Sequence, residues 1–305
     1  MSILVVGAIH HDVIVDAPSI PRLDETLPGS AVRYAFGGKG GNQAVIAGKL
    51  GRELGVSVAM AACVGSDPAG VDALAVLDGA DVSTKQIQRV ESPSGMSVAI
   101  SLPDGGYGAV IVSASNTKFD AENLDIDDQT QWILLQNELP QAINEAVAGR
   151  AKEIGAKILL NAAPARSLAD SLTCSLDLVV VNRVEAADLL GTSEAALIPA
   201  SAVTELQEKL SCPIILTLGG EGLWLADGEV AQQHVPAYRV PVVSTHGAGD
   251  AFVGALAVCL CRGDDLIDAA RFASAAAALH VSTPIDQRDQ ITHQAIQALI
   301  QTSSR

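Results

Sequence analysis

The chain has 305 residues, of which 49% are hydrophobic and 18% are charged. This composition is typical of a globular protein with a large core and excludes a mainly disordered chain. The 35 acidic residues outnumber the 19 lysines and arginines, the net charge is −16, and only 3% of residues are aromatic. We therefore expect no general binding to nucleic acid or to an anionic membrane, whereas a small anionic substrate is compatible with a locally positive pocket.

Targeting and cysteine usage both point to a reducing compartment. No apolar run reaches the ~20 residues that a membrane span needs, and neither a basic start nor a cleavable apolar region precedes the strand-like segment at 3–6. The five cysteines are an odd number, and four of them lie in apolar surroundings. We predict a cytoplasmic protein with reduced, buried thiols, rather than one with disulfides or a cysteine metal site.

Apolar runs and alanine-rich stretches alternate along the chain. The predicted buried strands are 3–6, 56–63, 132–136, 157–161, 178–182 and 214–218. The predicted helices are 41–50 (ending at Gly51), 140–155, 250–261 and 266–281. Continuous apolar runs suit parallel strands that are covered on both faces. The alternation predicts an α/β fold with a doubly wound, mostly parallel sheet flanked by helices.

Two segments break this alternation. Residues 12–36 alternate more strongly and contain prolines, and residues 95–112 form a hairpin pattern around Asp104-Gly105-Gly106. Two such insertions could pair into a small sheet outside the main one. Because no Pro/Gly-rich linker divides the chain, we predict a single domain over residues 1–305 with a small subdomain from approximately 12–36 and 95–112.

The first candidate functional segment is Gly-Gly-Lys-Gly-Gly-Asn-Gln at residues 37–43. Its glycines allow the backbone to approach a ligand closely, with a helix starting directly behind. The spacing fits neither a P-loop nor the dinucleotide-binding G-x-G-x-x-G pattern, so a dinucleotide-dependent oxidoreductase is a distant alternative. A simple strand-to-helix turn is the other interpretation of this segment.

The second segment is Gly-Ala-Gly-Asp at residues 247–250, directly before an apolar helical stretch. Small residues at a helix N-terminus direct several N–H groups toward one point, where the helix dipole favours a phosphate oxygen or a developing anion. Asp250 is either an ordinary first-turn aspartate or a general base beside this anion hole. The two glycines and the alanine before it favour a base.

Two further segments follow buried strands. Asn182 and Glu185, three residues apart on a first helical turn, face the same way and could orient water around a phosphate-bound magnesium ion. An ordinary helix cap is the alternative interpretation. The glycine-rich run 217–222 either admits a nucleotide or simply turns.

In this order and spacing, the four segments resemble the ribokinase family of carbohydrate kinases, also called the phosphofructokinase-B family. The resemblance runs from residue 3 to about residue 280 and is most specific at 37–43 and 247–250. Residues 63–70 and 160–165 also resemble family blocks, and ribokinases are the members with the nearest resemblance. The resemblance implies a ribokinase-like fold with a β-sheet lid, and ATP-dependent phosphorylation of a sugar hydroxyl, with ribose giving ribose 5-phosphate as the first choice.

The resemblance also implies roles for the matching residues. Asp250 would be the general base, and Gly247, Ala248 and Gly249 would form the anion hole. The acceptor sugar would be bound by Asp12, Gly38, Lys39, Asn42, Glu138 and Asp250. ATP would be bound by Asn182, Thr217, Gly219, Gly222 and Ser274. Glu185 would act near magnesium, through water, and pairing of the lids would give a homodimer.

Two departures from the family pattern bear on cofactor and acceptor. The family's D-T-T before the anion hole is Ser-Thr-His at 244–246, and residues 282–286 lack the usual glycine-containing loop. The lost aspartate helps to hold an activating potassium ion in ribokinases, so potassium activation is left open. His246 either contacts phosphate or fills space. His10 replaces an asparagine that helps to bind ribose, which also leaves open a ketohexose, a modified sugar or a nucleoside. A non-catalytic sugar-binding regulator is the alternative from another functional class.

Overall fold

A large β-sheet with helices on both faces forms the body of the protein, and a smaller sheet stands apart from it. The computed structural model describes residues 1–103, 106–228 and 232–303. The strands are β1 Ser2–Val6, β2 His10–Asp16, β3 Ala31–Gly37, β4 Ser57–Gly65, β5 Val82–Val90, β6 Met96–Ser101, β7 Tyr107–Val112, β8 Thr130–Gln136, β9 Lys157–Asn161, β10 Leu178–Asn182, β11 Ile214–Thr217, β12 Leu223–Ala226 and β13 Gln233–Val235. The helices are α1 Lys39–Leu54, α2 Pro68–Gly79, α3 Gln141–Ile154, α4 Asp170–Thr173, α5 Arg183–Leu190, α6 Pro199–Leu210, α7 Ala248–Arg262, α8 Leu266–Ser282 and α9 His293–Ser303. Short 3-10 helices lie at Ala114–Lys118, Gly219–Glu221 and Ile285–Gln290.

The strand order of the large sheet creates a crevice at the end of its first strand. The order is β13-β12-β11-β10-β9-β8-β1-β4-β5. Neighbouring strands from β11 to β5 in this order are parallel. Strand β12 is antiparallel to both of its neighbours, β11 and β13. Since β8 and β4 lie on either side of β1, the chain builds the sheet in opposite directions from β1. Doubly wound sheets bind ligands at such a switch point, outside the carboxyl ends of the strands. The predicted fold class is confirmed.

The large sheet separates two apolar cores. Ile3 and Val5 of β1 belong to one core, and Leu4 and Val6 belong to the other. All four side chains are at most 3% exposed. The first core is closed by α1, α7 and α8, and the second by α3, α5 and α6. The predicted strands read as continuous apolar runs because helices cover both of their faces.

Helix α1 ends one turn later than the sequence predicts. The glycine taken as its end, Gly51, lies inside the helix, where a Cβ atom would come within 2.4 Å of the Val56 carbonyl oxygen. Its lack of a side chain therefore serves close packing against the following strand. The helix ends at Gly55, whose φ of 73° is the left-handed conformation that favours glycine. Helix α3 ends at Gly155 in the same way, as predicted.

The smaller sheet combines the two segments that break the strand–helix pattern. Its order is β3-β2-β6-β7. Strand β2 pairs antiparallel with β3 and parallel with β6, and β6 and β7 form an antiparallel pair. The predicted separate sheet is confirmed. Of the predicted turn at 104–106, residues 104 and 105 lie outside the described residues.

The cysteines are free thiols. Cys174 is exposed, and the other four cysteines are buried. Burial raises the pKa of Cys212 and of Cys259 to about 12, so both remain protonated and unreactive at neutral pH. In the part of the chain that the structure describes, no helix combines the length and the apolar character required to cross a bilayer.

Candidate active site

The glycine-rich segment after β3 starts helix α1 against the end of β1, at the switch point of the large sheet. A Cβ atom on Gly40 would lie 2.6 Å from the Gly7 Cα atom, so only glycine allows this approach. Gly38 has a φ of 86°, and a Cβ atom there would come within 2.5 Å of the Ala8 carbonyl oxygen. The segment is thus a tight turn, and that turn places Lys39 in the crevice among acidic groups.

Asp250 is the centre of the polar network in this crevice. It lies in the first turn of α7 and is 8% exposed. Asn42 Nδ2 donates to Asp250 Oδ2 at 3.2 Å, and Gln43 Nε2 donates to Oδ1 at 3.0 Å. Gln136 Nε2, at the end of β8, donates in turn to Gln43 Oε1 at 2.8 Å. Residues from α1, β8 and α7 therefore fix the orientation of one carboxylate.

Burial makes Asp250 a stronger base than an exposed aspartate. Desolvation raises the pKa of its carboxyl group, while the charge of Lys39 and the hydrogen bonds from Gln43 and Asn42 act in the opposite direction. The carboxylate thus has a greater affinity for a proton while staying hydrogen-bonded in one orientation. These are properties of a general base.

Two more carboxylates, Glu138 and Asp12, face the same crevice. Glu138 follows β8, and its Oε2 accepts a hydrogen bond from the Lys39 backbone N–H at 2.7 Å. Burial raises the pKa of Glu138 to about 7, assisted by the negative charges of Asp250 and Asp12. Among the described residues, the buried Asp12 Oδ1 has no hydrogen-bond partner. A buried acceptor without a donor fits a ligand that carries hydroxyl groups.

Gly37 leaves room for the Asp12 carboxylate. A Cβ atom on Gly37 would lie 2.1 Å from Asp12 Oδ2. Across the pair of strands β2 and β3, Asp12 is opposite Ala35, another small residue. The sequence Ala35-Phe36-Gly37 therefore keeps space around the carboxylate that is predicted to bind the acceptor.

The N-terminus of α7 provides backbone donors beside Asp250. Gly247 precedes the helix with a φ of 77°, and the Ala248 N–H donates to the Thr245 carbonyl oxygen at 3.2 Å. The first turn of a helix leaves several N–H groups without a partner inside the helix and carries a partial positive charge. Gly249, in this turn, is exposed. This end of the helix fits the oxygens of a phosphoryl group.

A cavity of about 460 Å³ also reaches the N-terminus of α7. It is lined by four of the five residues assigned to ATP, together with two from the anion hole: Thr217, Gly219, Gly222, Ser274, Ala248 and Gly249. The sequence assignment missed the segment 237–242 after β13, most of which also lines this cavity. No motif in that segment signals a ligand.

Asn182 and Glu185 form a reciprocal cap at the start of α5. Asn182 Oδ1 accepts from the Glu185 N–H at 3.0 Å, and Glu185 Oε2 accepts from the Asn182 N–H at 2.6 Å. Neither residue lines the 460 Å³ cavity. This is the ordinary helix cap that the sequence offered as the alternative interpretation. Glu185 is 7% exposed, and burial raises the pKa of its carboxyl group, against the charge of Lys39.

The donor set near Glu185 is compatible with magnesium held mainly by water and phosphate. Within the described ranges, no three His, Cys, Asp or Glu side chains gather into a metal cluster. Magnesium usually keeps several waters and takes only one or two protein carboxylates together with substrate phosphates. Glu185, whose pKa is raised by burial and lowered by the charge of Lys39, is a single carboxylate that could bind such an ion through a water molecule.

The two adjacent histidines of β2 have different surroundings. His10 is 4% exposed, and burial lowers the pKa of its ring, so it is neutral at pH 7. The ring of His11 stacks on Tyr34, with 5.5 Å between the ring centroids. His246, next to the anion hole, is exposed.

Several residues of the site were not predicted. Gln43 belongs to the glycine-rich motif but received no role, and nothing in the sequence around Gln136 signals its contact with Gln43. Arg166 Nη1 donates to the carbonyl oxygens of Leu139, at 2.6 Å, and Asn137, at 3.2 Å. It therefore holds the backbone on both sides of Glu138. Because Arg166 lies 27 to 29 positions away in sequence from these carbonyl groups, spacing alone gives no signal.

The model of the family described as "pfkB family carbohydrate kinase" matches residues 1–292. The chain belongs to this family. It is accordingly an ATP-dependent carbohydrate kinase, as the glycine-rich and Gly-Ala-Gly-Asp segments indicate.

Curated relatives and solved structures of this family agree in length and fold. The chain is 31% identical to ribokinase of Lactococcus lactis over 91% of this chain and 89% of the relative. It is 34% identical to deoxyribokinase of Salmonella typhimurium over 84% of this chain and 85% of the relative. The structure of Arabidopsis thaliana ribokinase complexed with ribose and ATP superposes with a TM-score of 0.88 at 27% identity, covering 98% of both chains. Thermotoga maritima ribokinase gives a TM-score of 0.86 at 26% identity, covering 98% of this chain and 99% of the other.

Proposed function

We propose that this pfkB kinase transfers the γ-phosphoryl group of ATP to ribose, forming ribose 5-phosphate, with Asp250 as the general base. The observation that carries the proposal is the position of Asp250. It lies in the first turn of α7, where Ala248 and Gly249 line the 460 Å³ cavity, and its charge interacts with those of Lys39 and Glu138. The likeness to ribokinases, one of them solved with ribose and ATP, supports the choice of ribose.

The acceptor hydroxyl is activated by proton transfer to Asp250. Its oxygen forms a bond to the γ-phosphorus while the bond from that phosphorus to the bridging oxygen of ADP breaks. The proton moves to the Asp250 carboxylate, whose two oxygens are oriented by Asn42 and Gln43. Asp12 and Glu138 accept hydrogen bonds from other sugar hydroxyl groups, and the backbone at Gly38 and the side chains of Lys39 and Asn42 complete the acceptor site.

Charge that develops on the transferred group is stabilised by fixed donors. The N–H groups of Gly247 and Gly249 and the dipole of α7 act on the phosphoryl oxygens, while the Ala248 N–H donates to the Thr245 carbonyl oxygen within the same turn. The positive charge of Lys39, which acts on Asp250 and Glu138, also stabilises the negative charge of the transferred group. Magnesium, held by Glu185 through water, would neutralise charge on the ATP phosphates. Thr217, Gly219, Gly222 and Ser274, which line the 460 Å³ cavity, bind ATP in this proposal, whereas Asn182 caps α5 outside that cavity.

The smaller sheet would act as a lid over the acceptor and as a dimer interface. Tyr34, Val13, Val98 and Val110 lie side by side across its four strands. Tyr34 and Val110 are each 67% exposed and Val98 is 41% exposed. Asp12 lies on the opposite face, because neighbouring residues of a strand alternate. An exposed apolar strip is typical of a protein interface, so we propose a homodimer in which these faces meet.

A second candidate acceptor is 2-deoxyribose. The chain is 34% identical to deoxyribokinase of Salmonella typhimurium. In addition, the neutral, buried His10 stands where ribokinases have an asparagine that helps to bind ribose. Assays of ADP formation over ribose, deoxyribose, ketohexoses, modified sugars and nucleosides separate the candidates. If ribose has the highest kcat/KM of these acceptors, the proposal is supported. If another acceptor has the highest value, ribose is refuted as the substrate and that acceptor takes its place.

The role of the base is tested with Asp250→Asn. General base catalysis contributes about 10²–10⁴-fold, so we expect a loss of turnover of at least this order, with ATP binding retained in calorimetry. Asp268→Asn, at an exposed carboxylate paired with Arg271 on α8, is the matched control and should keep full turnover. Unchanged turnover of Asp250→Asn would refute the mechanism. Tight sugar binding by the wild type without phosphate transfer to any acceptor would favour a regulator.

A further inference from the structure

The guanidinium group of Arg288 binds a cluster of backbone carbonyl oxygens. Arg288 lies in the 3-10 helix Ile285–Gln290, between α8 and α9. Its Nη1 donates to the His246 carbonyl oxygen at 3.0 Å, and its Nη2 donates to that of Ser244 at 3.2 Å. Its Nε donates to the carbonyl oxygen of Thr283 at 3.3 Å. One cation thus links the segment before α7 to the segment after α8.

This charge faces backbone dipoles rather than a carboxylate. In the three described ranges, no acidic side chain forms an ion pair with Arg288. The adjacent Asp289 is paired instead with Lys49 of α1. A cation surrounded by carbonyl oxygens is the arrangement in which proteins hold a monovalent or divalent metal ion. Here the cation is a side chain, which stays charged at neutral pH.

The same contacts reach the anion hole. His246 immediately precedes Gly247, and its carbonyl oxygen also faces His280 Nε2 at 3.1 Å. Burial and the charge of Arg288 lower the pKa of His280 to about 4, so the ring is neutral and donates Nε2–H to this oxygen. A Cβ atom on Gly247 would lie 2.9 Å from His280 Nε2. The peptide that leads into the anion hole is therefore held by two donors and admits only glycine.

The position of Arg288 conflicts with a potassium site. The family resemblance implies an activating potassium ion held near residue 244 and by the loop after Val281. In this chain the family's aspartate is Ser244, and the carbonyl oxygens of Ser244 and Thr283 already accept from Arg288. A potassium ion bound to the same oxygens would lie next to the guanidinium group, and the two positive charges would repel each other strongly. The residues present do not fit the ion.

We propose that Arg288 is a built-in cation that takes the place of a monovalent metal ion and positions the anion hole at residues 247–249. The proposal rests on the phosphoryl-transfer role of that anion hole. Arg288 is a positioning residue: it holds the backbone through Ser244 and His246 and adds a fixed positive charge behind the N-terminus of α7. The kinase should therefore work without potassium.

The first test compares salts on the wild-type protein. We expect the same kcat and the same melting temperature in potassium chloride and in tetramethylammonium chloride at equal ionic strength, with ATP supplied as the tetramethylammonium salt. A kcat or a melting temperature that rises specifically with potassium would overturn the proposal. This test needs no variant, and its melting arm needs no acceptor.

The second test removes the cation. Misplacing or weakening transition-state donors typically lowers turnover about 10–100-fold, so Arg288→Ala should lose kcat on this scale with little change in acceptor KM. Added guanidinium chloride at low concentration, or potassium, should restore part of kcat and raise the melting temperature of this variant. Arg288→Lys, which keeps the charge with fewer directed donors, should fall between. Asp289→Asn is the matched control, because it loosens the same turn but leaves the guanidinium in place.

The outcomes separate this proposal from the proposed function. An unchanged kcat in Arg288→Ala, or equal losses in Arg288→Ala and Asp289→Asn without rescue, would show that the charge has no role. An active Asp250→Asn would instead refute the mechanism on which the proposal rests, whatever the Arg288 variants do.

Discussion

Replacing Gln43 with leucine tests how the pKa of the general base is set. Gln43 is fully buried and connects Gln136 Nε2 to Asp250 Oδ1, with bonds of 2.8 and 3.0 Å. The hydrogen bond from Gln43 lowers the pKa of Asp250, against the larger effect of burial. Leucine has a similar volume and no donor, so Gln43→Leu leaves the carboxylate with Asn42 as its side-chain donor.

The expected shift follows from the strength of one charge-assisted hydrogen bond. Such a bond contributes about 1.5–3 kcal/mol, and one pKa unit corresponds to about 1.36 kcal/mol. The pKa of Asp250 should therefore rise by about 1–2 units. The base must be ionised to accept the hydroxyl proton, so the acid limb of the pH profile of kcat/KM should move to higher pH. Well below the wild-type pKa, kcat/KM should be about 10–100-fold lower than in the wild type, the ratio that a shift of about 1–2 pKa units gives.

The assay is a coupled ADP measurement of kcat/KM between pH 5 and pH 9 with a fixed acceptor. Gln136→Leu should shift the acid limb less, because Gln43 then keeps its donor but loses its own support. Gln141→Leu is the matched control, since this glutamine bonds to Glu145 on α3, away from Asp250. Circular dichroism checks that each variant is folded. A folded Gln43→Leu protein with the acid limb of the wild type would refute the reasoning.

Two further predictions concern Glu138 and the exposed face of the smaller sheet. Burial raises the pKa of Glu138 from 4.5 to about 7 in the folded protein, so ionisation of this group opposes folding. The free energy of unfolding should therefore fall by about 3 kcal/mol as the pH rises from about 4.5 to 7. Glu138→Gln should abolish this part of the pH dependence. Denaturant unfolding at pH 5 and pH 8 measures this, and the same pH dependence in both proteins would contradict it. Val98→Asp and Val110→Asp should convert a dimer to monomers in sedimentation, whereas Val71→Asp on α2 should not; a monomeric wild type would contradict the proposed interface.

The large sheet was predictable because its strands are covered on both faces. Residues 158–160 and 178–181 are uninterrupted runs of Val, Ile and Leu, and β9 and β10 have the predicted bounds, 157–161 and 178–182. Strand β5 was not predicted, since Val82–Val90 lies at the sheet edge with a mixed polar pattern. Helix α6, Pro199–Leu210, was not predicted, although its buried Ala202, Val203, Leu206 and Leu210 recur with helical spacing.

The chemistry of the crevice was predictable where it rests on local sequence, and not where it rests on distant contacts. Glycines that begin a helix and an aspartate in a first turn can be read from the chain at 37–43 and 247–250. The support for these residues comes from elsewhere in the fold. Gln136 reaches Gln43 across 93 positions, and Arg288 reaches His246 across 42. Only the folded backbone brings such pairs together, so no spacing rule finds them.

The bond between Asn42 and Asp250 has a consequence for the life of the growing chain. It joins residues 208 positions apart, which a ribosome takes roughly 10–40 s to synthesise at about 5–20 residues per second. During that interval the emerging protein carries Asp12 and Lys39 from the start, and Glu138 is added partway through. It has no proton acceptor and no helix end for the phosphoryl group. A half-made molecule therefore cannot transfer phosphate, and the activity arises only when the last third of the chain has been made and docks against the first.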